Sequence, residues 1–296
     1  MDPLVQAAIA RFALQVMAVE AVAESYSSTV RILTLADGEK VVLKIPFSKS
    51  KVIREVRMLQ HLRGHLPVPE LLDHYLAEDG VGALLLSYLP GSSLNADLMT
   101  LFGDEFENPS ATAKGWWELM DEFFYQWVPL CERVLDPEMI RASERTYQQL
   151  RADLPAADGP CAVHFDYRPA NVLWHDDTLI GLIDFESARG GSADRDFIKI
   201  KEELWDLAQH TEAPFLAGYQ SVRPLPDLER TLPFYTLHLA FGGVGWCVRR
   251  GKLDDPFMQR NLETLRRVVG KYCVSQNLLI ASQITSQCLN LVNGQA

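Results

Sequence analysis

The chain reads as an α+β protein in two lobes: a small N-terminal lobe, residues 1–90, with an antiparallel sheet plus a helix, and a larger, mainly helical C-terminal lobe, residues 91–296. Three observations predict this. Two strand-like segments at 28–35 and 40–45 are joined by Ala36-Asp37-Gly38-Glu39, and Asp-Gly is a strong hairpin signal. After an apolar run at 83–88, Leu89-Pro90-Gly91 ends the strand pattern, and the chain beyond it is mostly helical in its periodicity. Finally, 296 residues, 48% of them hydrophobic, are long for one core and sufficient for two lobes.

Taken in order, Asp2-Pro3 opens a helix predicted through about Met17, because proline suits a first turn. After the hairpin, Ser50 is placed as the N-cap of a helix through about Leu62. Pro67-Val68-Pro69 leads into an extended region and then the strand at 83–88. Beyond residue 91, helices are expected at 115–134, where Trp116, Trp117, Phe123, Phe124, Tyr125 and Trp127 crowd together, and at 143–154. Two short strands flank a tight turn at His175-Asp176-Asp177. Helices are then expected after Asp196, through Leu204-Trp205, 215–220 and 228–246, with a last pair at 257–278 and 279–291. The aromatic-rich segment is the kind of stretch that more often forms core than a ligand box.

The formal net charge is −11, and a nucleic-acid partner is disfavoured because it would call for a basic patch. An acidic surface favours cationic ligands, so any bound phosphates must be neutralised locally, by metal and lysine. The five cysteines, Cys131, Cys161, Cys247, Cys273 and Cys288, include no Cys-x-x-Cys pair, which argues against a disulfide framework or a zinc site and for a reducing cytosol. The N-terminus lacks a signal-peptide pattern and no stretch is apolar enough to span a bilayer. A soluble, cytoplasmic protein with no membrane partner is expected.

The chemistry concentrates in one stretch, Val163-His164-Phe165-Asp166-Tyr167-Arg168-Pro169-Ala170-Asn171-Val172-Leu173-Trp174, followed by Leu182-Ile183-Asp184-Phe185-Glu186. It places an aspartate, an asparagine and a second aspartate at the ends of short apolar runs, as phosphoryl transfer requires. Asp166 can orient a hydroxyl and accept its proton, while Asn171 and Asp184 can offer hard oxygen ligands to magnesium. The spacing His-x-Asp-x-x-x-x-Asn fits a kinase catalytic loop.

In the strand at 40–45, Val41, Leu43 and Ile45 point one way and Val42 and Lys44 the other, so Lys44 faces either solvent or a ligand. Glu55 falls on or beside the apolar stripe Val52, Ile53, Val56, Leu59 and Leu62. A carboxylate there needs a partner, and Lys44 is the candidate, as in the ion pair that positions a phosphate-binding lysine; a peripheral Glu55 is the alternative. Asp166 and Asn171 singly are common turn residues. What singles them out is the joint order of Lys44, Glu55, His164, Asp166, Asn171 and Asp184. His164 is read as structural support for the loop backbone and the region near Asp184. Asp196 is read as a helix N-cap that also braces the loop. The segment 21–30 stands where a phosphate loop belongs but has no glycine; Ser27, Ser28 and Thr29 either donate to phosphate or form only a polar turn.

Together these residues resemble the aminoglycoside phosphotransferase family, the small-molecule branch of the protein-kinase-like fold. His164-Phe165-Asp166-Tyr167-Arg168-Pro169-Ala170-Asn171 is similar to the family's His-Gly-Asp-Leu-His-Pro-Gly-Asn loop, and Ile183-Asp184-Phe185-Glu186 to its Ile-Asp-Trp-Glu magnesium segment. Asp196 matches the second aspartate of Gly-Asp-Pro-x-x-Asp. Ser87-Tyr88-Leu89-Pro90-Gly91 resembles the hinge whose backbone holds adenine, which puts Ser87 and Leu89 at the nucleotide. Phe215-Leu216-Ala217-Gly218-Tyr219 is similar to the family's Phe-x-x-Gly-Tyr. The resemblance spans roughly residues 20 to 250. It departs where Ser192-Ala193-Asp194 replaces Gly-Asp-Pro, where Phe165 and Ala170 replace small loop residues, and in the glycine-free phosphate loop.

The resemblance implies in-line transfer of a γ-phosphoryl group from ATP or GTP to a substrate hydroxyl, with Mg2+ as cofactor. Lys44 would hold the α- and β-phosphates, Asn171 and Asp184 the magnesium, and Asp166 the hydroxyl. Glu186, Glu202, Glu203 and Asp206, with Asp254 and Asp255, are candidates for the ammonium groups of a cationic acceptor such as an aminoglycoside antibiotic; a solvated helix face is the alternative for Glu202 and Glu203. Other acceptors in view are a macrolide or a metabolic alcohol such as choline, homoserine, a thioribose or a sugar amine. A nucleotide-binding pseudokinase is the contrasting reading, against which the intact Asp166, Asn171 and Asp184 set argues.

Overall fold

A computed structural model describes residues 2–22, 28–78, 80–90, 92–93, 115–176 and 178–272. Packing divides the chain into two compact units, one of Met1–Ser110 with Pro160–Leu225 and one of Ala111–Gly159 with Pro226–Ala296. The expected boundary near residue 90 follows element type, whereas packing gathers residues 160–225 with the sheet.

The first unit is built on a five-stranded antiparallel sheet in the order β1-β2-β3-β5-β4, comprising β1 (Val16–Ala21), β2 (Ser28–Leu35), β3 (Lys40–Pro46), β4 (Leu71–Tyr75) and β5 (Ala83–Ser87). The expected hairpin forms between β2 and β3, with Leu33 opposite Val41 and Ile32 opposite Val42. Gly38 takes φ +88° at its turn, a conformation that side chains rarely tolerate. One face of the sheet buries Leu33, Val41, Leu43, Ile45, Ala83 and Leu85 against Val5 and Ala8 of helix α1 (Pro3–Arg11).

That helix is shorter than expected. Phe12 caps it and Ala13 adopts φ 53°, so the chain turns and residues 16–21 become strand β1 instead of a last helical turn. The apolar run Val16-Met17-Ala18-Val19 suits either element, and pairing with β2 decides it. Ser28 and Thr29, read both as the start of the strand at 28–35 and as the end of the phosphate-loop segment, lie in β2 opposite Pro46 and Ile45, while Ser27 lies outside the described residues.

Helix α2 (Lys49–Leu62) packs against β3, β4 and β5. Its N-cap is Ser48, two residues before the expected Ser50, and no side-chain bond makes the cap. Val52, Val56, Leu59 and Leu62 are buried as the stripe predicts, with Glu55 among them; Ile53, counted in that stripe, is exposed.

Residues 161–191 add β7 (Cys161–Val163), β8 (Val172–His175), β9 (Thr178–Leu182) and β10 (Arg189–Gly191). A short strand β6 (Ser92–Ser93) pairs with β8, β8 with β9, and β7 with β10, all antiparallel. Gly181 in β9 is closely approached: a Cβ there would sit 2.6 Å from Leu89 Cδ1 and 2.8 Å from the Pro67 carbonyl oxygen. Helix α6 (Phe197–Ile200) runs into a π-helical turn, Lys201–Trp205, and α7 (Glu212–Gln220) comes next.

The second unit is helical, with α3 (Trp116–Tyr125), α4 (Val128–Cys131), α5 (Pro137–Ala152), α8 (Leu228–Arg250) and a last helix, α9, over 256–272. Helix α5 begins before the expected residue 143, because Asp136 caps it by accepting from the Met139 N–H. Of the crowded aromatics Phe124 is core, stacking on Tyr147 at 4.0 Å and on Phe241 at 4.5 Å between ring centroids; Trp116, Trp117, Phe123 and Trp127 are half-buried and Tyr125 is exposed. The helix expected at 279–291 lies outside the described residues. Among the described residues, no helix is long and apolar enough to cross a membrane.

Candidate active site

Strand alternation turns Lys44 away from the Val41, Leu43 and Ile45 face, toward α2 and the end of β9. Its ammonium lies 3.0 Å from each carboxylate oxygen of Glu55, 2.6 Å from Asp184 Oδ1 and 3.4 Å from Glu186 Oε2. Lys44 and Glu55 are both buried, so the paired reading of Glu55 is the one observed. Burial works against the charge on Lys44, but Asp184, Glu55 and Glu186 outweigh it and its pKa is raised. Burial also pushes Glu55 up, with Lys44 opposing and the neighbouring carboxylates adding to the rise.

Asp184 comes after β9 in the left-handed conformation (φ 68°, ψ 56°), and Phe185–Ser187 form a 3-10 turn packed against α2. Burial opposes ionisation of Asp184, yet Lys44 holds its carboxyl below the usual range. The same turn swings Glu186 inward. Glu186 was expected at the acceptor. Its carboxylate instead is buried, paired with Lys51 and Lys44, and accepts from the Ser28 hydroxyl, while Arg54 Nε donates to its carbonyl oxygen at 3.1 Å. That set of partners leaves it on the lysine side of the site.

The loop at 164–171 is held by groups around it. His164 Nε2 meets the Ile183 carbonyl oxygen at 2.9 Å and its Nδ1 accepts from the Asp166 N–H at 3.3 Å. Asp196 accepts from the backbone N–H groups of His164 (2.7 Å) and Phe165 (2.8 Å). It makes no side-chain cap on α6, so of the two roles read for it only the bracing contact is present. Burial raises its pKa, against those two N–H groups. Phe165 stands where the resembling loop has glycine and takes φ 69°; Arg189 and Arg195 lie over its ring at 4.1 and 4.9 Å.

Asn171 ends a 3-10 turn opened by Pro169. Its Nδ2 donates to the Asp166 carbonyl (2.7 Å) and to Asp166 Oδ2 (3.1 Å), so its Oδ1 is the atom left to accept. The Ile183 N–H bonds the Asn171 carbonyl at 2.9 Å, tying the loop to the residue before Asp184. Asp166, Asn171, Asp184 and Lys44 thus belong to one connected region. Asn171 Oδ1 and the Asp184 carboxylate are hard oxygen donors of the kind magnesium takes. Among the described residues no group of three or more His, Cys, Asp or Glu side chains is placed to hold a metal ion.

Around Asp166 stand two cations that the sequence did not single out. Arg168 Nε is 3.5 Å from Asp166 Oδ2 and Lys199 Nζ is 3.8 Å from Oδ1. Both also reach Glu203, Arg168 at 3.3 Å and Lys199 at 3.5 Å. Burial works against the Arg168 charge, but Asp166 and Glu203 outweigh it and its pKa is raised. Asp206 pairs with Lys201 at 2.7 Å. Glu202 is partly buried, and burial raises its pKa against Lys199 and Arg195. Arg168 was visible in the loop motif two residues past Asp166, and Lys51 and Arg54 share the helix of Glu55. Lys199 has no local signal, since only the fold brings α6 to the loop.

The expected hinge is partly engaged by its own chain. Ser87 Oγ accepts from the Glu70 N–H at 2.8 Å and the Ser87 N–H bonds the Glu70 carbonyl at 2.9 Å. Leu89 packs over Gly181.

A family model described as the APH phosphotransferase enzyme family matches residues 18–234. No curated protein matches the chain. Among solved structures, a GDP complex of a mutant aminoglycoside 2'-phosphotransferase-IIIa is similar, with a TM-score of 0.66, 18% identity, and coverage of 90% of this chain and 97% of that one. A thermostable mutant of APH(4)-Ia in complex with AMP-PNP and hygromycin B gives a TM-score of 0.66 at 16% identity, over 89% and 97% of the two chains. A GDP and kanamycin complex of an APH(2") enzyme gives 0.66 at 17% identity, over 91% and 99%. At these identities the likeness establishes the kinase-like α+β fold.

Proposed function

The chain belongs to the APH phosphotransferase enzyme family, and we propose that it moves the γ-phosphoryl group of a nucleoside triphosphate to a small-molecule hydroxyl at the centre formed by Lys44, Asp166, Asn171 and Asp184. The family makes it an enzyme that passes phosphate to an alcohol group. The observation that carries the residue assignment is the chain of contacts from Lys44 to Asp184, from the neighbouring Ile183 N–H to Asn171, and from Asn171 to Asp166.

In this reading the acceptor oxygen forms a bond to the γ-phosphorus as the bond to the bridging oxygen breaks. The nucleoside diphosphate leaves with that electron pair, and the hydroxyl proton passes to the Asp166 carboxylate and on to water. Lys44, held by Glu55, meets the α- and β-phosphates once Asp184 turns from it. Asn171 Oδ1 and Asp184 would hold magnesium, which neutralises phosphate charge. His164 and Asp196 keep the loop in place. ATP and GTP are both carried as donors, and fold neighbours solved with GDP, ADP and AMP-PNP support that choice. The backbone from Ser87 to Leu89 is proposed to meet the base, and residue 90 to separate the nucleotide-binding part from the acceptor-binding part. The buried thiols of Cys131 and Cys247 are in keeping with a cytoplasmic setting.

A second reading makes an aminoglycoside the acceptor, because neighbours of this fold are solved with hygromycin B and kanamycin. Against it, Glu186, Glu203 and Asp206 already meet cations of this chain.

The test is a panel of alcohols, amino sugars and macrolides with magnesium and either nucleotide, run on the wild type and on Asp166→Asn. Transfer by the variant is expected to fall by about 10²–10⁴-fold with nucleotide binding retained. Normal turnover by Asp166→Asn refutes the role given to Asp166.

A further inference from the structure

The acceptor side of Asp166 is not the acidic surface that a polycation would seek. Of the two Asp166 oxygens, Oδ2 is taken by the Asn171 amide and faces Arg168. Oδ1 is therefore the oxygen open to an incoming hydroxyl, and Lys199 stands beside it at 3.8 Å, too far for a hydrogen bond. Glu203 shares both of these cations with Asp166, Glu202 has Lys199 and Arg195 near it, and Asp206 is paired with Lys201. An ammonium reaching Glu203 would meet a carboxylate that already has a cation beside each oxygen, which weakens its pull. The π-helical turn Lys201–Trp205 directly after α6 belongs to this arrangement, and such turns recur at functional sites because the wider turn re-aims side chains.

Resting on the kinase reading above, we propose that the acceptor is an alcohol bearing an oxyanion group, a carboxylate or phosphate, near the hydroxyl to be phosphorylated, and that Lys199 recognises that anion with Arg168 behind it. Lys199 and Arg168 are largely buried side chains, 15% and 20% exposed, so an anion reaching them is met out of bulk water, where a charge-assisted bond is stronger. Exchange of Glu203 for the ligand's anion keeps both cations paired, so binding leaves no buried charge behind. Lys199 is a specificity residue here. The bonds formed and broken are those of the transfer already described.

The experiment compares matched acceptors on the full chain with magnesium and ATP or GTP: sorbitol, gluconate and sorbitol 6-phosphate; glycerol, glycerate and glycerol 3-phosphate; and kanamycin and hygromycin B. The anionic members are expected to be phosphorylated in preference to the neutral ones, with gluconate and glycerate against the two phosphates telling which oxyanion is read. In Lys199→Met the ratio of kcat/KM for the anionic acceptor over its neutral counterpart should fall about tenfold or more, through KM, and Lys199→Arg should restore most of it. A purely structural lysine would lower both acceptors alike, which overturns the assignment. Turnover confined to amino sugars or neutral alcohols, or no turnover of any anionic acceptor, overturns it as well. Magnesium-dependent hydrolysis of nucleotide to water, measured with no acceptor, tests the kinase reading by itself: if that hydrolysis is present, only the acceptor class has failed.

Discussion

Replacing Lys44 with methionine keeps the length of the side chain and removes the ammonium that three carboxylates share. Glu55 and Glu186 each have side chains only 2% exposed, so neither can recover its lost partner from water. Lys51 still meets Glu186, but Glu55 has Lys44 as its cation. Removing one member of a buried pair costs about 3–5 kcal/mol, because the other charge stays buried. Glu55→Gln, which leaves Lys44 with Asp184 and Glu186, should cost less, about 1–3 kcal/mol. In the double variant the stranded carboxylate is gone, so its loss should be smaller than the sum by roughly 1–3 kcal/mol. Urea unfolding of the four proteins without nucleotide reads these values by linear extrapolation. On the acid side the sign with pH comes from Asp184 and Glu186, whose folded pKa values lie below their unfolded ones; Glu55, raised to about 7, gives the opposite slope between about pH 4.5 and 7. The contribution of Asp184 and Glu186 is complete above about pH 4.5 and is lost as pH falls through the lowered folded values, and Lys44→Met should flatten that acid-side loss. A single Lys44→Met variant within about 0.5 kcal/mol of wild type, or an additive double, would refute the buried-cluster account.

Packing and burial set two further outcomes. Gly181→Ala should destabilise by about 1–3 kcal/mol, since its Cβ would lie 2.8 Å from the Pro67 carbonyl, which cannot move as freely as Leu89; a thermal melt unchanged from wild type would contradict the close approach. Glu202 has its pKa raised by burial, so it binds its proton more tightly folded than unfolded: the stability it gives is full below about pH 4.5 and is lost as pH rises through the folded value. Glu202→Gln should therefore gain stability relative to wild type at pH 7 and lose that advantage near pH 4.5, and an advantage that grows on acidification would show the carboxylate to be satisfied.

The parts of the site that were legible in the sequence are those whose signal is local. Lys44 shows in strand alternation, Glu55 in a helical stripe, and the loop residues in their spacing. The hairpin of β2 and β3 is legible for the same reason, because the Asp37-Gly38 turn sets its own register. What stayed hidden depends on rare backbone states and on long-range packing. No rule of composition marks Ala13 or Asp184 for positive φ, yet the first ends α1 early and the second swings Glu186 into the lysine cluster. Glu203 and Asp206 look like free acids in a line of sequence. Only the fold brings Arg168 to Glu203, and Lys199 to both Glu203 and Asp166.

The central claim is that the phosphate grip and the acceptor base are separate parts of one centre, and titration of ATP into the protein with and without magnesium tests it most directly. Asp184→Asn should bind ATP with its magnesium-dependent gain in affinity largely removed, and Asp166→Asn should bind magnesium and ATP as wild type does. Equal magnesium dependence in wild type and Asp184→Asn, or its loss in Asp166→Asn, would contradict the account.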